Sequence, residues 1–117
     1  MKIYTLSTCD TSRKIIKPIP KEGFEIKDIK KDAITSDELE EMKALSGSYE
    51  SLFSRRSRSY ISMGLKDRSL GEEDYRSLIL KEYTFLKRPV ILIDDSIFIG
   101  NQKKNVSALY KKISIDG

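Results

Sequence analysis

The sequence contains no histidine. Catalytic triads of the Ser-His-Asp kind, Cys-His pairs, HExxH zinc sites and the commonest near-neutral general base all require an imidazole, so that chemistry is excluded. Cysteine is nearly absent too: Cys9 stands alone. A lone cysteine closes no internal disulfide, and nothing points to a secreted disulfide scaffold. With one thiol and no imidazole a structural zinc site lacks its ligands, and no metal is expected. No apolar run approaches the roughly 20 residues of a membrane span, so no membrane contact is expected. The opening Met1-Lys2-Ile3-Tyr4-Thr5-Leu6 is too short and too polar for a signal peptide. The expected setting is therefore a cytoplasmic, reducing one. Internal repeats, low-complexity segments and linkers are also missing.

What is present is ordinary for a globular protein. Its 117 residues are read as one domain, 1–117, able to bury one modest core. Basic residues number 22 and acidic residues 18, a net charge of +4. So mild an excess does not by itself indicate nucleic acid, and no direct nucleic-acid binding is expected. The distribution is more informative, because Arg55, Arg56 and Arg58 fall within four positions.

Ile3 to Leu6 is a short β-prone run that ends in the turn formers and caps Ser7-Thr8-Cys9-Asp10-Thr11-Ser12. A helix is expected from about Thr11 or Ser12, stopped early by Pro18 and Pro20. Phe24 to Ile29 alternates as a second strand. Thr35 and Glu38 stand at capping-box spacing before a stripe of Leu39, Met42 and Leu45, with Gly47 as the stop. Two short helical pieces follow, at Tyr49 to Phe53 and Ser59 to Met63, and a longer helix at Glu72 to Lys81. Val90 to Ile93 reads as a fully buried strand that returns through Asp94-Asp95-Ser96 into Ile97 to Ile99, a hairpin. The last helix carries Val106, Leu109, Tyr110 and Ile113 on one face. The order β-α-β, helices, β-β-α predicts an α/β fold. It is a four-stranded mixed sheet with helices on both faces and a helical insertion at about 35–83.

Cys9 is the first candidate for chemistry. It stands between a strand and a helix, where the first-turn amides of the helix and the charges of Arg13 and Lys14 favour an ionised sulfur. The bland alternative is an inert buried cysteine. Ser12 gives the pattern Cys-x-x-Ser: its hydroxyl has the reach to donate to the sulfur but cannot resolve a disulfide, and it is equally an ordinary first-turn serine. Arg88-Pro89 either marks the entry of a strand or forms a cis-proline turn presenting Arg88. Clustered guanidiniums such as Arg55 and Arg56 suit an oxyanion or carboxylate, and equally form a solvated basic surface.

Cys9-Asp10-Thr11-Ser12-Arg13-Lys14, the stretch Leu52-Phe53-Ser54-Arg55-Arg56-Ser57-Arg58-Ser59-Tyr60 running on to Met63-Gly64-Leu65, and the approach Leu80-Lys81-Glu82 through Lys87-Arg88-Pro89-Val90-Ile91 keep one order. In that order and near that spacing, the chain resembles the arsenate reductase (ArsC)/Spx family. The resemblance implies a thioredoxin-like fold with a helical insertion. It also implies Cys9 as nucleophile, Arg88 as an oxyanion-binding arginine, Pro89 as the cis-proline, and Arg56 as the arginine of the middle segment. Two departures weigh against arsenate as substrate. The middle oxyanion arginine of the reductases falls at Ser54, with Arg55 and Arg56 adjacent, and the third falls near Gly100, where no arginine stands. Ser12 also removes the second sulfur of the redox switch common in the Spx branch.

Two functions follow from this reading. The first is a thiol-dependent reductase with Cys9 as nucleophile on an oxyanion or mixed disulfide. Cys9, Ser12 and Arg88 are its catalytic candidates, and Arg13, Arg55, Arg56 and Pro89 its anion-binding candidates. No bound cofactor is expected. The second thiol comes from outside, as glutathione or through glutaredoxin or thioredoxin. The alternative, carried by the resemblance alone, is an Spx-like regulator that binds the RNA polymerase α-subunit.

Overall fold

A computed structural model describes residues 1–114. Its elements run β1 (Lys2–Thr5), α1 (Asp10–Ile16), β2 (Glu25–Asp28), α2 (Ser36–Ser46), α3 (Arg58–Ser62), α4 (Glu72–Lys81), β3 (Val90–Ile93), β4 (Ser96–Ile99) and α5 (Lys103–Lys112). Short 3-10 turns lie at Glu50–Leu52, Leu65–Asp67 and Tyr83–Phe85. The chain divides into two compact units. One joins residues 1–32 to the chain from Arg88 onward, and the other is residues 33–87. The segment expected as a helical insertion, about 35–83, falls within the second.

The first unit holds the sheet, in the order β2-β1-β3-β4. β1 and β2 are parallel, as a crossover through α1 requires, with Ile3 beside Ile26 and Thr5 beside Asp28. β3 is antiparallel to β1, with Tyr4 beside Val90, and turns back into β4. Asp94 supplies the left-handed turn residue at φ 52°, a conformation that an Asp side chain tolerates better than most. Ile3, Ile91 and Ile93 share one face and pack with Ile15 of α1, with Ile19 just beyond its end and with Leu109 of α5. The Tyr110 hydroxyl ties α5 to α1 by donating to the Ile15 carbonyl at 2.8 Å. All four residues of β3 are buried, on both faces of the sheet, which is why the run is uniformly apolar. Each such side chain contributes about 1.5–3 kcal/mol by leaving water.

The second unit packs its helices around an aromatic centre. Phe53 stacks on Phe85 at 5.1 Å and tilts against Tyr75 at 4.8 Å, among buried Leu39, Met42, Leu52, Leu65, Ile79 and Leu86. The capping box of α2 closes in both directions: Glu38 N–H donates to Thr35 Oγ1 at 3.1 Å, and Thr35 N–H donates to Glu38 Oε1 at 2.8 Å. Gly47 ends α2 at φ 93°. From the first turn of α4, Glu72 accepts the amides of Tyr49 (2.7 Å) and Glu50 (3.0 Å). The stretch expected as helical at Tyr49 to Phe53 is thus a single 3-10 turn, held by a carboxylate distant in sequence. Among the described residues no helix is long and apolar enough to cross a membrane.

Candidate functional site

β1 delivers the chain to one end of the sheet at Thr5. A tight turn follows, closed by Cys9 N–H donating to the Leu6 carbonyl at 2.9 Å. Cys9 is then the N-cap of α1, with extended backbone (φ −99°, ψ 110°), and its carbonyl accepts the Arg13 amide at 3.0 Å. The side chain is half-buried and the thiol is free. α1 therefore begins at Asp10, slightly before the expected Thr11 or Ser12, and Cys9 sits at the mouth of the helix. The sulfur closes no capping hydrogen bond. A neutral thiol is a weak acceptor, whereas the thiolate is the reactive species.

Because β3 runs antiparallel to β1 with Tyr4 beside Val90, the residues preceding β3 emerge where β1 ends. These are Arg88 and Pro89, joined by a cis peptide bond. Pro89 is buried, and its carbonyl accepts Gly100 N–H at 2.8 Å. The Arg88 Nε is a buried nitrogen, and the residue has interactions elsewhere along its length. Topology alone thus brings Cys9, Arg88, Pro89 and Gly100 to the same end of one sheet.

The expected hydrogen bond from Ser12 to Cys9 is not formed. Ser12 is fully buried, and its hydroxyl pairs with Thr5 Oγ1 at 2.8 Å. At the third helical position the side chain turns back under the helix towards the strand end instead of out to the cap. Arg13 likewise spends its charge locally, in an exposed ion pair with Asp10 one turn before it. Such pairs in water contribute little to stability.

Sequence reasoning missed two polar residues of this sheet end. Thr5 is the partner that fixes Ser12. Asp28 lies beside Thr5 in the register, and its Oδ1 accepts Lys30 N–H at 3.1 Å. The Ser7 hydroxyl, and then the Lys30 amide, hold its carboxyl below the usual carboxylate range against the opposing effect of burial. Only the parallel pairing of β1 with β2 places Asp28 next to the cysteine turn, and that pairing is not written in a local motif.

Arg55 and Arg56 belong to the second unit. Arg55 is committed to it: the guanidinium donates to Glu50 Oε2 at 3.0 Å and to the Tyr75 hydroxyl at 2.9 Å, and lies over the rings of Phe53 and Tyr75. Its reading as an anion-binding group gives way to a structural one. The Arg56 side chain is exposed, while its backbone amide donates to Ser54 Oγ at 3.3 Å.

A parallel β-α-β unit and an antiparallel hairpin in one mixed sheet, a cysteine capping the first helix, and a cis-proline leading into the third strand define a thioredoxin-like fold. The chain belongs to the ArsC family, whose family model matches residues 4–109. Solved structures carry the same fold. An ArsC-related protein of Bacteroides fragilis superposes with a TM-score of 0.75 at 20% identity, over 92% of this chain and 95% of that one. Arsenate reductase from Vibrio cholerae gives 0.71 at 17% identity over 97% and 98%. An arsenate reductase (ArsC) related protein of Brucella melitensis gives 0.69 at 24% identity over 94% and 93%. No curated protein matches the sequence.

Proposed function

We propose that this protein is a cytoplasmic thiol-dependent reductase of the arsenate reductase-like type, with Cys9 as its nucleophile. The carrying observation is the position of Cys9, half-buried at the N-cap of α1 and at the sheet end where Arg88-Pro89 emerges. In the first step the Cys9 thiolate attacks one sulfur of a mixed disulfide, forms a Cys9–S–S bond and expels the other sulfur as thiolate. In the second, an external thiolate attacks that bond and regenerates Cys9. The external thiol is oxidised and the original disulfide reduced. Arg88 stabilises anionic charge beside the sulfur, and Pro89 orders the backbone there.

Glutathione, alone or through glutaredoxin or thioredoxin, is the reductant this cycle needs, because the sequence holds no second cysteine. Arg13, whose exposed pair with Asp10 exchanges readily with water and other anions, is the auxiliary anion contact in this reading. Mixed disulfides are favoured over arsenate, since no arginine stands near Gly100 to complete an oxyanion cage. The regulator reading gains no support from the site.

The test is turnover of a cysteine-containing mixed disulfide and of arsenate, with glutathione as the thiol supply. Wild type turns over the disulfide, Cys9→Ser abolishes the reaction, and Arg88→Lys slows it. Equal rates for wild type and Cys9→Ser would remove the reading.

A further inference from the structure

The segment from Ser54 to Ser69 is built unlike the rest of the second unit. α3, five residues long, buries none of its own residues. Ile61 is 75% exposed and Met63 40% exposed, and they are two of only four large exposed hydrophobics among the described residues. Arg58 and Ile61 are three apart on α3 and so share a face. The same stretch carries the exposed cations Arg56, Arg58, Lys66 and Arg68, against the single acid Asp67. Anchorage comes from below and from the ends. Leu65 is fully buried, Ser57 Oγ pairs with Thr84 Oγ1 at 2.8 Å, and Gly64 turns the chain at φ 69°. The fold therefore anchors this segment through Leu65 and Ser57 and leaves Ile61 and Met63 exposed.

We infer that this surface is a docking site for a protein partner that presents an apolar pocket rimmed by carboxylates. Methionine and arginine are enriched in interfaces between proteins, with apolar side chains central and charge at the rim. Here one short stretch exposes two large apolar side chains together with four cations. A phosphate backbone would use the cations but find no role for Ile61 and Met63, and nucleic-acid interfaces are more polar and more strongly basic. A membrane surface would require a longer amphipathic helix than five residues. An acidic protein surface with an apolar centre uses every feature present. The inference is independent of the thiol chemistry, since none of Ile61, Met63, Lys66 and Arg68 has a part in it.

The probe is a fluorescent peptide with leucine and phenylalanine at helical spacing among glutamates, compared with a twin in which lysine replaces every glutamate. Fluorescence anisotropy should give saturable binding of the acidic peptide that weakens with salt, and none of the lysine twin. Ile61→Asp should weaken binding about tenfold or more, as removal of a central anchor does. The double change Lys66→Glu with Arg68→Glu should weaken it and flatten the salt dependence. Since the Ile61 side chain is exposed, Ile61→Asp should leave the circular dichroism spectrum and melting temperature of the full chain unchanged. Met63→Asp provides a second readout. Equal binding of both peptides, or binding of the acidic peptide that neither apolar variant alters, would overturn the inference. So would a preference for anionic vesicles or an oligonucleotide with the same dependence on Ile61.

Discussion

At the scale of single residues, the polar groups of the sheet end divide into those turned inward and those left to act. Ser12 is turned inward. Its hydroxyl and that of Thr5 satisfy each other in a buried setting, so Ser12→Ala leaves Thr5 Oγ1 without its partner. Chemical denaturation should register a loss of about 1–3 kcal/mol. The alkylation rate of Cys9 should change little, because Ser12 does not touch the sulfur. A variant of normal stability with a strongly slowed Cys9 would restore the direct hydrogen bond read from the Cys-x-x-Ser spacing. That spacing was legible and the direction of the side chain was not, since it depends on where β1 ends relative to the helix axis. Arg55 teaches the same point: a cluster of three arginines is visible in the sequence, but the Glu50 and Tyr75 partners of the first come from five and twenty positions away.

At the scale of elements, local signals succeeded where the stabilising contacts are local. The Thr35 to Glu38 capping box, the Gly47 stop and the uniformly apolar β3 each carry their reason within a few residues. Thr35→Ala removes one half of the box and should cost about 1 kcal/mol of stability, measured as a lowered denaturation midpoint with an unchanged slope. An unaffected midpoint would mean that α2 is held by its buried stripe alone. The short helical piece expected at Tyr49 to Phe53 is a 3-10 turn at Glu50–Leu52, and the acceptor of the Tyr49 and Glu50 amides, Glu72, is a residue that no window around Tyr49 contains. β1 ends at Thr5 and not Leu6 for a comparable reason: the Leu6 carbonyl is already taken by the Cys9 amide, which starts the turn.

At the scale of the whole molecule, the order of strands and helices was readable, and with it the sheet. One parallel crossover and one hairpin leave few ways to arrange four strands. The convergence of Cys9 with Arg88-Pro89 is a consequence of that topology, although the two lie 79 positions apart in the chain. A chain with one cysteine has no thiol of its own to resolve the adduct proposed for Cys9, so the proposed cycle is bimolecular at both steps. Everything proposed for the reaction then depends on the state of one sulfur. The direct measurement is the second-order rate of Cys9 alkylation by iodoacetamide at pH 6, beside glutathione as the free-thiol reference. The account predicts that Cys9 reacts at least about tenfold faster than the reference, as thiols activated at helix N-termini and beside cations do. A Cys9 that reacts no faster than glutathione would contradict it.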